Sequence, residues 1–102
     1  MYKLQFIQEF AEGYANEFLE LESQFAILEK EEGFPIGKRY VGCIGPTSEN
    51  TFIWEAEFPT LEDAIAALQK IKGNDRHEDL FQKQNKFFVK SYVNVLRSVC
   101  DK

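Results

Sequence analysis

Polar and apolar residues alternate from Lys3 to Phe10. Leu4, Phe6 and Phe10 fall on one side and Lys3, Gln5, Ile7 and Glu9 on the other, the two-residue period of a strand covered on one face. From Glu12 the period changes: Tyr14, Phe18, Leu21, Phe25 and Leu28 stack along one side of a helix running to about Glu32. Gly33-Phe34-Pro35-Ile36-Gly37 stops it, because glycine accepts the terminating conformation and proline cannot continue a helix. Lys38 to Ile44 and Thr51 to Phe58 read as two strands joined into a hairpin through the turn residues Gly45 to Asn50. After Pro59, the Thr60 hydroxyl can cap a helix, with Asp63 answering back, whose Leu61, Ala64, Ile65, Leu68 and Ile71 share a side until Gly73. A short helix from Asp75 is anchored by Leu80 and Phe81, and Phe87 to Val99, rich in Phe, Val and Tyr, reads as the last strand.

The order β, α, β, β, α, β, with one additional short helix, predicts an α+β fold. It is the ferredoxin-like arrangement, a four-stranded antiparallel sheet with both long helices on one face. Residues 1 to 102 are expected to form one domain, since no linker, repeat or low-complexity stretch divides them. The uncovered face should carry Lys3, Gln5, Ile7 and Glu9 from the first strand, Thr51, Ile53, Glu55 and Glu57 from the third, and Phe88, Lys90, Tyr92, Asn94 and Leu96 from the last. That face is too apolar to stay entirely wet and too polar for a dry core. It suits a second copy of the chain, a homodimer joined through the open sheet face with a partly hydrated cavity between the two sheets.

Composition narrows the function. Seventeen acidic against twelve basic residues give a formal charge of −5, and 44% of the chain is hydrophobic, with ten Phe, four Tyr and one Trp. Nucleic-acid binding needs a basic surface, so no nucleic-acid partner is expected. No apolar run approaches the roughly 20 residues of a membrane span, and the opening MYKLQFIQEF lacks the basic start of a leader, so no membrane partner and a cytoplasmic location are expected. The acidity is local: residues 1 to 32 hold eight acids and two bases, and the remainder is nearly neutral. His77 is the one histidine, which excludes a metal site built from several imidazoles within one chain; no metal and no cofactor are expected. It sits in a polar helix start and reads as a solvated surface residue or a catalytic one. Cys43 and Cys100 read as reduced, buried small hydrophobes on strands rather than reactive thiols.

Glu55 and Glu57 are two apart on a strand, so they share a face with roots about 7 Å apart. Such a pair can supply an acid and a base, or can pair with Arg39, Lys90 or Arg97 across neighbouring strands and do no chemistry. Tyr92 and Asn94 could orient a polar group of a ligand or satisfy one another. Glu22 falls inside the apolar stripe of the first helix, among Phe18, Phe25, Ala15 and Ala26. It must lean out to water or serve as a site carboxylate.

The segments Arg39-Tyr40-Val41-Gly42, Asn50 to Phe58 with its central Trp54, and Thr60-Leu61-Glu62-Asp63-Ala64 resemble the second half of dimeric α+β barrel proteins, nearest to the NIPSNAP-like group. They are also similar to the antibiotic-biosynthesis monooxygenases, in which a Trp-containing strand leads into a helix opened by a short capping motif. The resemblance covers roughly Lys38 to Val99 in pattern. It implies a homodimer whose sheets close into a barrel, with a small-molecule pocket in each subunit. The alternative it implies is a cofactor-independent monooxygenase or isomerase acting on a small aromatic or polyketide-like compound, with Glu55 or Glu57 as base. Haem-degrading members combine an Asn on the first strand, a Trp on the third and a His on the following helix; here Trp54 and His77 stand at comparable places, but the first strand offers Gln5 and Gln8. Alternation puts Trp54 with Phe52 and Phe58 in the helix-covered core, unless a bulge turns it toward a pocket. Candidate pocket residues are therefore Gln5, Trp54, Glu55, Glu57, Tyr92 and Asn94, with Glu22, Arg39 and His77 as further candidates.

Overall fold

A computed structural model describes Met1–Cys100; the last two residues of the expected 1–102 domain lie outside the described residues. The elements are β1 Tyr2–Phe10, α1 Ala15–Glu32, β2 Lys38–Val41, β3 Thr51–Phe58, α2 Leu61–Lys72, α3 Asp75–Asn85 and β4 Phe88–Arg97. The strands form one antiparallel sheet in the order β2-β3-β1-β4, the ferredoxin-like topology expected from the element order. The first helix starts at Ala15 rather than Glu12, because a turn closed by the Tyr14 amide on the Ala11 carbonyl comes first. It ends at Gly33, which takes a left-handed φ of 70° while its own amide and that of Phe34 return to the Glu29 carbonyl. Side-chain caps open the other two helices: Thr60 Oγ1 accepts from the Asp63 amide and Asn74 Oδ1 from the His77 amide.

All three helices cover the sheet face that carries Leu4, Phe10, Phe52 and Trp54. The core is built around Phe18 of α1, whose ring stacks on Phe10 at 4.9 Å and meets Phe52 and Phe88 edge-on at 5.5 and 5.6 Å. Phe88 was expected on the open face and is not there. The β1–β4 register shifts between Glu9 and Phe10: Glu9 opposes Lys90 and Phe10 opposes Phe88, which leaves Val89 as an extra residue, 70% exposed. The bulge reverses the alternation of β4, so Phe88 turns inward against Phe18 and Phe81. The two cysteines also depart from expectation. Pairing of β2 ends at Val41 and that of β4 at Arg97, so Cys43 and Cys100 fall beyond the strands, exposed and free.

The open face consists of rows that cross the sheet in register. Lys38, Glu55, Gln5 and Asn94 form a polar row, and Tyr40, Ile53, Ile7 and Tyr92 an apolar one beside it. Replacing Phe18 with Ala removes the ring that three other aromatics pack on. Phe18→Ala is expected to cost about 3–5 kcal/mol of stability, read as a lowered urea midpoint with the slope preserved.

Candidate functional site

Glu22 and Glu29 lie seven residues apart on α1, two helical turns, and so face the same way. The chain then reverses through Gly33–Gly37, and β2 returns beneath α1 with Arg39 on the inner face, in register with Trp54 of β3. One guanidinium therefore meets two carboxylates. Arg39 Nε donates to Glu22 Oε1 at 3.0 Å, while its Nη1 and Nη2 fork onto the two oxygens of Glu29. Glu29 also accepts the indole N–H of Trp54 at 3.1 Å and the Gly37 amide at 3.3 Å. Gly37 has to be a glycine here, since a Cβ would collide with the Trp54 ring. On the far side, Gln84 of α3, 1% exposed, spends both amide hydrogens, one on Glu22 Oε2 and one on the Phe18 carbonyl, each at 3.2 Å. Five side chains from α1, β2, β3 and α3 thus make one buried chain of hydrogen bonds: Trp54, Glu29, Arg39, Glu22, Gln84.

This chain of bonds borders a cavity of about 410 Å³ between the helices and the sheet. Its apolar wall is formed by the rings of Phe6, Phe25, Phe34, Trp54 and Phe81 with Ile71 and Val93. Glu22, Glu29, Gln8, Gln84, Ser91 and His77 add polar groups, with Lys72 and Glu78 in exposed positions. Burial pushes the Glu22 carboxyl above its ordinary value, more strongly than the Arg39 charge and the hydrogen bonds from Gln84 and Arg39 pull it down; the Glu29 charge pushes it up further. Burial works to lower the Arg39 value, but Glu29 and Glu22 outweigh it and hold the guanidinium above its usual range. The His77 imidazole, packed on Phe25 at 4.9 Å, is held below its usual value by burial, against Glu78 and Glu29.

No family model and no curated protein matches the sequence. Solved structures do match. A NIPSNAP family protein from Agrobacterium tumefaciens superposes with a TM-score of 0.76 at 19% identity, covering 99% of this chain and 88% of the other. A NIPSNAP domain protein from Burkholderia xenovorans gives 0.78 at 11% identity, over 100% and 98% of the two chains. A structure described as an antibiotic biosynthesis monooxygenase gives 0.74 at 15% identity, over 98% and 100%. The fold is that of the NIPSNAP and antibiotic-biosynthesis monooxygenase structures. At these identities the likeness concerns the fold alone.

Within this NIPSNAP-like fold the candidate residues divide between the two faces of the sheet. Trp54, Glu22 and His77 line the cavity on the helix side, and Arg39 bonds to Glu22 without lining it. Trp54 is both core and cavity wall, 5% exposed, with no bulge needed to place it. Glu22 does not lean out to water. It stays inside the stripe because Arg39 and Gln84 partner it there, and His77 is half-buried rather than solvated. Gln5, Glu55, Glu57, Tyr92 and Asn94 occupy the opposite face. Gln5 Nε2 donates to Glu55 Oε1 at 3.0 Å, Lys3 Nζ lies 3.0 Å from Glu55 Oε2, and Asn94 Nδ2 donates to Gln5 Oε1 at 3.5 Å. The Gln5 hydrogen bond, with Lys3 behind it, holds the Glu55 carboxyl below its ordinary value. The partner of Glu55 is thus Lys3 of β1, not Arg39, Lys90 or Arg97, and Arg39 is spent on the other side of the sheet. Glu57 is exposed opposite Lys3 in the register. Sequence reasoning missed Glu29 and Gln84; the signal for Glu29 was its seven-residue spacing from Glu22. Among the described residues, no group of three or more His, Cys, Asp or Glu is placed to hold a metal ion, and no helix is long and apolar enough to cross a membrane.

Truncating Glu29 would leave the two Nη groups of Arg39, an indole N–H and a backbone N–H without their acceptor at once. Glu29→Ala is expected to lose about 3–5 kcal/mol in chemical denaturation. Glu22 supplies a pH test. Its carboxyl is held above the ordinary value of 4.5 in the folded chain, so the stability it contributes is fully present below that value and is lost as pH rises through the raised one. Gln in its place has no proton to lose. The melting temperature of Glu22→Gln relative to the natural chain should therefore climb as pH rises above 4.5 and through the raised value, and a difference that stays flat contradicts the assignment.

Proposed function

We propose that residues 1 to 102 form one domain that binds a small, largely apolar ring compound in the cavity between helices and sheet, and that works as a homodimer joined through the open sheet face. The observation that carries this reading is the cavity itself. Its volume of about 410 Å³ lies within the roughly 300–1,000 Å³ usual for small-molecule sites. Five aromatic rings and a few partnered polar groups are the lining such a ligand needs. The dimer reading is supported by the apolar row Tyr40, Ile53, Ile7 and Tyr92 on the open face, with Tyr40, Tyr92 and nearby Leu96 exposed in the single chain. The free, exposed cysteines suit a reducing compartment such as the cytoplasm.

The second reading is turnover without a cofactor, as an oxygenase or isomerase of a small aromatic or polyketide-like compound; the name of one similar structure motivates it. Binding is favoured over it because Glu55, the carboxylate that reading uses as base, is ion-paired with Lys3 and held below its ordinary value, on the sheet face away from the cavity. Trp54 is the one tryptophan and stands in the cavity wall, so its fluorescence reports occupancy directly. Titration with neutral ring compounds that lack an indole, such as ethylbenzene, should give a saturable change in Trp54 emission; an emission unmoved by any of them defeats the binding reading. Native mass spectrometry should find a dimer that Ile53→Lys dissociates, and a natural chain that is monomeric at micromolar concentration defeats the dimer.

A further inference from the structure

Charge around the cavity does not balance. Among the described residues, the guanidinium of Arg39 is the one cation bonded to the buried carboxylates, and Glu29 takes its fork together with the Trp54 indole and the Gly37 amide, four donors in all. Glu29 and Arg39 compensate each other. Glu22 is left over. Each of its oxygens receives one hydrogen bond, from Arg39 Nε and from Gln84 Nε2, whereas each carboxylate oxygen can accept two. Its side chain is more than nine-tenths buried, yet it lines the cavity. The other charged groups at the cavity, Lys72 of α2 and Glu78 of α3, are exposed and opposite in sign, and His77 is held toward its neutral form. An apolar chamber therefore presents one carboxyl with spare acceptor capacity that shares its counter-charge, Arg39, with Glu29, surrounded by ring faces. Aromatic faces attract cations, most strongly where water is excluded.

We propose that the cavity selects organic amines: a protonated amino group seated against Glu22, with the attached apolar or aromatic body packed among Phe25, Phe34, Phe81 and Trp54. The inference rests on the binding reading above and adds the ligand's charge to it. A neutral compound of the same shape would fill the rings and leave Glu22 uncompensated. An anion would meet Glu22 and Glu29 together and be rejected. The upward push on the Glu22 carboxyl is the expected property of an acid awaiting a cation, since an ammonium group beside it would favour the ionised form.

The test uses isothermal titration calorimetry at neutral pH with three probes of one shape, tryptamine, 3-ethylindole and indole-3-propionate, on the natural chain, Glu22→Gln and Glu62→Gln. Tryptamine is expected to bind about tenfold or more tighter than 3-ethylindole, with indole-3-propionate weakest. Glu22→Gln, which keeps an oxygen toward Arg39, should bring tryptamine and 3-ethylindole to equal affinity without weakening 3-ethylindole. Glu62→Gln, exposed in the first turn of α2 and off the cavity wall, should leave the preference intact. Equal binding of tryptamine and 3-ethylindole by the natural chain, or a preference that survives Glu22→Gln, overturns the proposal while the cavity remains a ligand site. If none of the three binds, the proposal and the binding reading fall together. The order of affinities in the natural chain decides the matter even if Glu22→Gln does not fold.

Discussion

A single guanidinium facing two carboxylates holds the inner side of this protein together. Arg39 reaches α1 at two positions two turns apart, and Glu29 hands the contact on to the Trp54 indole, so β2, β3 and α1 share one electrostatic joint. Gln84 extends it to α3. Desolvating three charged groups is expensive, and the arrangement is tolerable because the charges pair with one another and their buried atoms find partners; no fully buried side-chain nitrogen or oxygen among the described residues goes without one. The exception in capacity, though not in contact, is Glu22. Four members of this joint, Trp54, Glu29, Glu22 and Gln84, stand in the wall of the ring-lined cavity, whereas Phe18 and its three aromatic partners pack in the core away from that wall.

Much of the fold was legible because its elements are long and their periods distinct. The alternation in Lys3–Phe10 and the four-three spacing through Phe18, Phe25 and Leu28 need no tertiary information to read. Where reading by period failed, a local event had broken the period. Val89 is one extra residue in β4, and from it onward toward Phe88 odd and even exchange faces. A bulge has no signature in alternation, since the sequence on either side still alternates.

The site was less legible, for a different reason. Glu22 stood out as a charge in an apolar stripe, and Trp54 stood out by type. Glu29 did not, because it follows Leu28 near the helix end, where a charged residue is unremarkable. Arg39 was visible as a cation on a strand, but its partners depend on how the Gly33–Gly37 reversal aims β2, which spacing does not encode. Contacts between α1 and β2 span 10 and 17 positions, and contacts between Gln84 and α1 span more than 60.

The polar row on the open face bears on the cavity behind it. Asn94, Gln5 and Glu55 grip one another across three strands, and Lys3 closes on Glu55 from the next position of the same side. In a strand every side chain changes face if the pairing slips by one residue. A slip of β3 along β1 would break this grip and at the same stroke swing Trp54 outward and carry Glu55 into the chamber. The hydrogen bonds that never touch the cavity therefore act as its alignment key: they decide which residues of β3 the chamber is allowed to contain.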